Sequence, residues 1–68
     1  LPTEDELRQI CPGILETFEC IRKKSLVCEG STPEEAAQQR DDLELARAAQ
    51  IFLNIEALAK DLCNEDTS

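Results

Sequence analysis

From residue 4 to residue 63 the apolar side chains recur at three- and four-residue steps, and no stretch alternates apolar and polar positions as a strand would. The spacing predicts an all-α chain. A short N-terminal helix is expected over about 4–10, opened by a capping box in which Thr3 and Glu6 each satisfy a backbone N–H. Pro12-Gly13 is expected to break it. A second helix is expected over about 14–28, with Cys11, Ile14, Phe18, Ile21, Ser25 and Cys28 on one face and Glu16, Glu19 and Lys23 opposite. Ser25 reads as a small filler on that face. Glu19 and Lys23 stand in the favourable i,i+4 order, and Gly30 suits the position after the last turn. Ser31-Thr32-Pro33-Glu34-Glu35 is the clearest start signal: Thr32 caps, Pro33 takes the first helical position, and two acids face the positive helix end. No breaker follows until Cys63, so a long last helix is expected over about 33–63. Thirty helical residues span about 45 Å, long for so small a domain, and a bend is expected near Arg40-Asp41-Asp42. Residues 64–68 read as a frayed tail.

Residues 45–63 carry most of the apolar surface. On a helix, Ala48, Ile51, Phe52, Ile55, Leu58, Ala59 and Leu62 form one broad stripe, read as the core face. Arg47, Gln50, Asn54 and Asp61 form a narrow polar stripe, and Glu56 with Lys60 makes another i,i+4 pair. Ala46, Ala49, Leu53 and Ala57 form a second, weaker apolar strip. That strip is the first candidate interaction surface: a dimer seam, or the lining of a small apolar cavity. The basic cluster Arg22-Lys23-Lys24 is the second. It suits an acidic partner, or a solvated helix end where cations are favoured.

Sixty-eight residues make one domain, and a chain this short buries only about 60% of the surface it would expose unfolded. Such a scaffold needs a staple. The four cysteines, Cys11, Cys20, Cys28 and Cys63, supply it. Their spacing lacks C-x2-C and the chain lacks histidine, which argues against zinc and for disulfides in an oxidising, extracellular compartment. Four cysteines allow three pairings. Cys11–Cys63 with Cys20–Cys28 is slightly favoured, provided the second helix ends near Lys24 and residues 25–28 fold back. An intact helix separates Cys20 from Cys28 by about 12 Å, beyond the roughly 7 Å that a disulfide spans between Cα atoms. Cys20–Cys63 with Cys11–Cys28 stands close behind.

The net charge of −8 is uneven: residues 29–68 hold ten acids against Arg40, Arg47 and Lys60. That field repels nucleic acid and anionic membranes. No run approaches the roughly 18 apolar residues a membrane span needs. The chain starts at Leu1 and reads as a mature form whose signal peptide has been removed. Without histidine a serine or cysteine nucleophile lacks its usual base. The acidic pairs Glu34-Glu35 and Asp41-Asp42 read as solvated surface, and no calcium-loop pattern occurs. No enzyme, metal or cofactor is expected.

The run Ile10-Cys11-Pro12-x-x-Leu15-x-x-x-x-Cys20-Ile21, followed by Cys28, Thr32-Pro33 and Leu62-Cys63, resembles secreted helical cysteine proteins of arthropods, of the haemolymph-glycoprotein-like and spider-gland type. The likeness spans about 4–63. It implies secretion and an all-helical fold, and it carries no agreed activity or functional residue. Ile10-Cys11-Pro12 and Cys63 also resemble secretoglobins, which implies a helical dimer around an apolar cavity. Cys20 and Cys28 depart from that pattern. The expected function is a secreted, non-enzymatic interaction or toxin-like module that binds an extracellular protein. The alternative is a structural or carrier protein that forms a helical oligomer through the 45–63 helix and either co-assembles with other extracellular proteins or holds a small apolar ligand.

Overall fold

The computed structural model describes residues 1–63; the tail expected to fray lies outside them. Thr3 opens helix α1 (Glu4–Glu29): its hydroxyl accepts the Glu6 N–H at 3.2 Å, and the Glu6 carboxylate accepts the Thr3 N–H at 3.1 Å. Glu4, Asp5 and Glu6 set negative charge against the positive helix end. The expected break at Pro12-Gly13 does not occur, and α1 is one helix of 26 residues. A proline inside a helix removes one hydrogen bond and crowds the carbonyl four residues back, at a cost of about 3 kcal/mol. Here Arg8, Pro12 and Gly13 all face water, so the carbonyl freed at Arg8 can be solvated. Leu7, Cys11, Ile14, Leu15 and Phe18, on both sides of the proline, are the half-buried or buried positions, and their shared face rewards an unbroken helix.

Gly30 ends α1 at φ 74°, in the left-handed region, and its N–H bonds the Leu26 carbonyl at 2.9 Å. Thr32 then caps α2 (Pro33–Ala37), with Pro33 in the first turn and Glu35 closing a second capping box. The long last helix is therefore two helices. The bend expected near residues 40–42 is a full interruption over 38–42, after which Asp42 accepts the Leu45 N–H at 3.0 Å and starts α3 (Leu43–Leu62).

α3 runs back antiparallel to α1, and α2 buttresses α3 with Pro33 and Ala36 buried. A disulfide joins Cys11 to Cys63, with Cα atoms 5.8 Å apart. It agrees with one half of the favoured pairing. The other half is corrected: Cys20 and Cys28 are free and exposed. Because α1 does not end near Lys24, residues 25–28 cannot fold back, and the two thiols stay two helical turns apart.

The interior is thin. The buried apolar positions are Cys11, Pro33, Ala36 and Ala49, and among the described residues no large side chain is fully buried. The radius of gyration is 13.7 Å, against about 11 Å for a compact domain of this length.

Candidate functional site

The two facing helices meet around one aromatic pair and one ion triad. Phe18 and Phe52 pack edge to face with centroids 5.5 Å apart. Four residues after each phenylalanine, on the same inward faces, stand Arg22 and Glu56. The Arg22 guanidinium donates from Nε to Glu56 Oε2 and from Nη2 to Glu56 Oε1, both at 2.6 Å. Its outer edge donates to Glu34 Oε1 at 2.9 Å and Oε2 at 2.7 Å. The guanidinium carbon lies 5.8 Å from the Phe52 ring centre. Arg22 therefore ties α1 to α2 and α3 at once. Its hydrogen bonds hold the Glu56 and Glu34 carboxyls below the usual glutamate range, against the opposing effect of burial. Glu56 is 6% exposed, the one buried charged residue among those described. Nearby, the half-buried Ser25, expected as a filler, donates from its hydroxyl to the Ser31 carbonyl at 3.0 Å and pins the link between α1 and α2.

This changes the reading of the basic cluster. Arg22 is an internal tie; Lys23 and Lys24 are exposed. Glu34, read as solvated surface, is the outer member of the triad, and Glu56, expected to pair with Lys60, gives both oxygens to Arg22. Sequence reasoning missed the triad, although its register was visible: residues 11, 15, 18 and 22 share one face of α1, and residues 45, 49, 52 and 56 share one face of α3.

The apolar faces of α3 are also rearranged. Ala49, placed in the spare strip, is buried, with Ala46 and Leu53 half-buried beside it; Ala57 is exposed. The side chains expected to form the core point outward instead. Ile51 is 58% exposed, Ile55 52%, Leu58 59% and Leu62 53%, while Phe52 and Ala59, at the margin of that stripe, are half-buried. The buttress and the ion triad fix which way α3 rolls: Glu56 must reach Arg22, and that turns residues 51, 55, 58 and 62 to solvent.

The hairpin thus has two unlike sides. On one, a groove of about 340 Å³ where α1, α2 and α3 meet is lined by Ile21, Lys24, Cys28, Pro33, Ala48 and Phe52 among others. Through Ala48 it runs on to the outward stripe of α3. Ile21 and Cys28, expected on the core face of α1, stand exposed on this side. The other side holds a smaller hollow lined by Leu15, Phe18, Glu16, Glu19, Glu56 and Lys60, four of them charged. Among the described residues no three metal-ligating side chains converge, and no helix is long and apolar enough to cross a membrane. No family model, curated protein or solved structure significantly matches the chain.

Proposed function

We propose that the chain is an extracellular, non-enzymatic protein-interaction or toxin-like module of a venom, haemolymph or gland secretion, and that it acts through the apolar side of its hairpin. One observation carries this reading: Ile51, Ile55, Leu58 and Leu62 line up along α3, each more than half exposed, beside an apolar groove. An uninterrupted apolar stripe on so small a surface is the mark of an interaction site. The disulfide suits an oxidising compartment. The polar groups that converge, Arg22, Glu34 and Glu56, satisfy one another and serve the fold. The test is binding from the native fluid. Immobilised chain is expected to retain a defined protein, another copy of itself included, that the Ile51→Glu variant does not retain. Equal retention by both, with helicity unchanged, would overturn the reading.

The groove favours a second reading, a carrier of a small apolar molecule, because pockets of about 300–1,000 Å³ are the usual size of ligand sites. Its lining is mainly apolar and includes the exposed Ile21 and Ala48, the half-buried Leu45 and Phe52 and the buried Pro33, Ala36 and Ala49. Anilinonaphthalene sulfonate would then bind with micromolar affinity, and Ala48→Phe, which adds a ring to the lining, would abolish the fluorescence gain. An unchanged signal in that variant would remove the carrier reading.

A further inference from the structure

We propose that the occupant of the apolar side is a second copy of this chain, docked antiparallel across α3 so that two hairpins complete a four-helix bundle. The inference rests on the interaction reading above and names the partner.

The outward positions of α3 are Ala48, Ile51, Ile55, Leu58 and Leu62, at steps of three, four, three and four. That is a heptad seam, the pattern by which one helix packs along another. A lone hairpin has nothing to pack there. Its four large members, Ile51, Ile55, Leu58 and Leu62, are symmetric about a point between Glu56 and Ala57, and Ala48 lies beyond that set. A two-fold axis at that point, with the helices antiparallel, sets Ile51 opposite Leu62 of the second copy and Ile55 opposite its Leu58. Every layer at the centre is then apolar against apolar, as an isologous interface requires. Antiparallel docking also opposes the helix dipoles.

α1 conforms to the same axis. It runs antiparallel to α3, with Cys11 joined to Cys63 and Phe18 beside Phe52, so its level facing the centre of α3 is near Thr17 and Phe18. Ile14 and Ile21 lie about equally far above and below that level, and Ile21 is on the apolar side.

The chain exposes 5488 Å², where a compact monomer of 7.6 kDa exposes about 4,300 Å². That excess is spread over an elongated molecule of 43 × 21 × 19 Å, and a standard stable interface takes roughly 800 Å² from each partner.

Charge complementation across the seam tests the register. In sedimentation at graded concentration the oxidised chain is expected at about twice 7.6 kDa. Ile55→Glu and Leu58→Lys, each at a half-exposed position, are expected to keep their helicity and disulfide and to sediment as monomers. Mixed in equal amounts they are expected to form a heterodimer at least tenfold tighter than either homodimer, because Glu at 55 then faces Lys at 58 and the other pair stays apolar. A wild-type chain that stays monomeric to millimolar concentration overturns the inference. A dimer that both variants leave intact, or variants that fail to complement, overturns the antiparallel seam. Should either variant lose helicity, Ile51→Gln with Leu62→Gln replaces it, and an unchanged dimer there is equally fatal. A wild-type monomer that still retains a different protein, and loses it on Ile51→Glu, sinks this inference while the interaction reading stands. A monomer that retains nothing sinks both.

Discussion

Arg22 shows how a single position sets the balance of forces in this fold. Its four charge-assisted hydrogen bonds, two to Glu56 and two to Glu34, differ in value because the partners differ in burial. The Glu56 side chain is 7% exposed, and removing its partner strands a buried carboxylate. Arg22→Ala is therefore expected to destabilise the protein by about 3 kcal/mol, read as a lower urea midpoint. The Glu34 side chain is 52% exposed, its pairing is screened by water, and Glu34→Gln should cost less than about 1 kcal/mol. If the two variants lost stability equally, burial would not be what distinguishes them. The same contacts predict a pH dependence. An unfolded glutamate titrates near pH 4.3, and both carboxyls titrate lower in the folded protein because Arg22 hydrogen-bonds their charged forms. A depressed carboxyl contributes stability that is fully present above the unfolded value and is lost as pH falls through the folded one. Stability should thus be level from about pH 5 to 8 and drop below about pH 4. Glu56→Gln should flatten that drop, and an unchanged acid limb in this variant would remove the triad as its cause.

The same residue-level ties decide how the elements are cut and rolled. α1 crosses Pro12 because the face from Leu7 to Phe18 holds together against α3, and a long, loaded helix outweighs one lost hydrogen bond. Pro12→Ala restores that bond without touching the inner face, so it is expected to stabilise the chain by about 2 kcal/mol, a higher urea midpoint at constant slope. A lower midpoint would mean that the proline serves the packing. How legible each element was in the sequence follows the range of its signals. Thr3 with Glu6, Gly30, and Thr32 with Pro33 are local devices that act within one turn, and they stand where the residue types put them. Asp42 is of the same kind, yet it reads as part of a bend because its neighbours Arg40 and Asp41 are also polar. Pro12-Gly13 misleads because its outcome depends on what lies across the hairpin. The roll of α3 misleads for a deeper reason: this helix is apolar on two sides, and hydrophobicity alone cannot rank them. The buried charge ranks them, since Glu56 must meet Arg22, and a charged residue on an apolar face is the signal to follow. A Cys20–Cys28 bond requires the helix to end near Lys24, and α1 runs on to Glu29.

At the scale of the molecule the question is what keeps so thin a structure folded. Four buried apolar positions, three of them small, cannot do so alone, and the Cys11–Cys63 bond closes 52 residues of chain. On the loop-entropy scale that closure stabilises the fold by about 4 kcal/mol, comparable with the whole stability a core of this size supplies. Cys11→Ser is expected to lose most helicity at 37 °C in circular dichroism, whereas Cys20→Ser should change nothing. A reduced chain that stayed helical would place the stability in the docked seam instead. Charge acts against both the fold and the dimer. The net charge is −8, and residues 29–68 carry nearly all of it. The molecule measures 43 × 21 × 19 Å. At 0.01 M salt the screening length is about 30 Å, so like charges repel across its whole width; at 0.15 M it is about 8 Å, shorter than a helix is wide. The Glu56 bond, being buried, is screened far less than this diffuse repulsion. Raising salt over that range should therefore raise the melting temperature by several degrees and tighten self-association. A basic partner on the same face would behave in the opposite way, its affinity falling as salt rises, so the sign of the salt effect reports which kind of molecule the apolar side was built to meet.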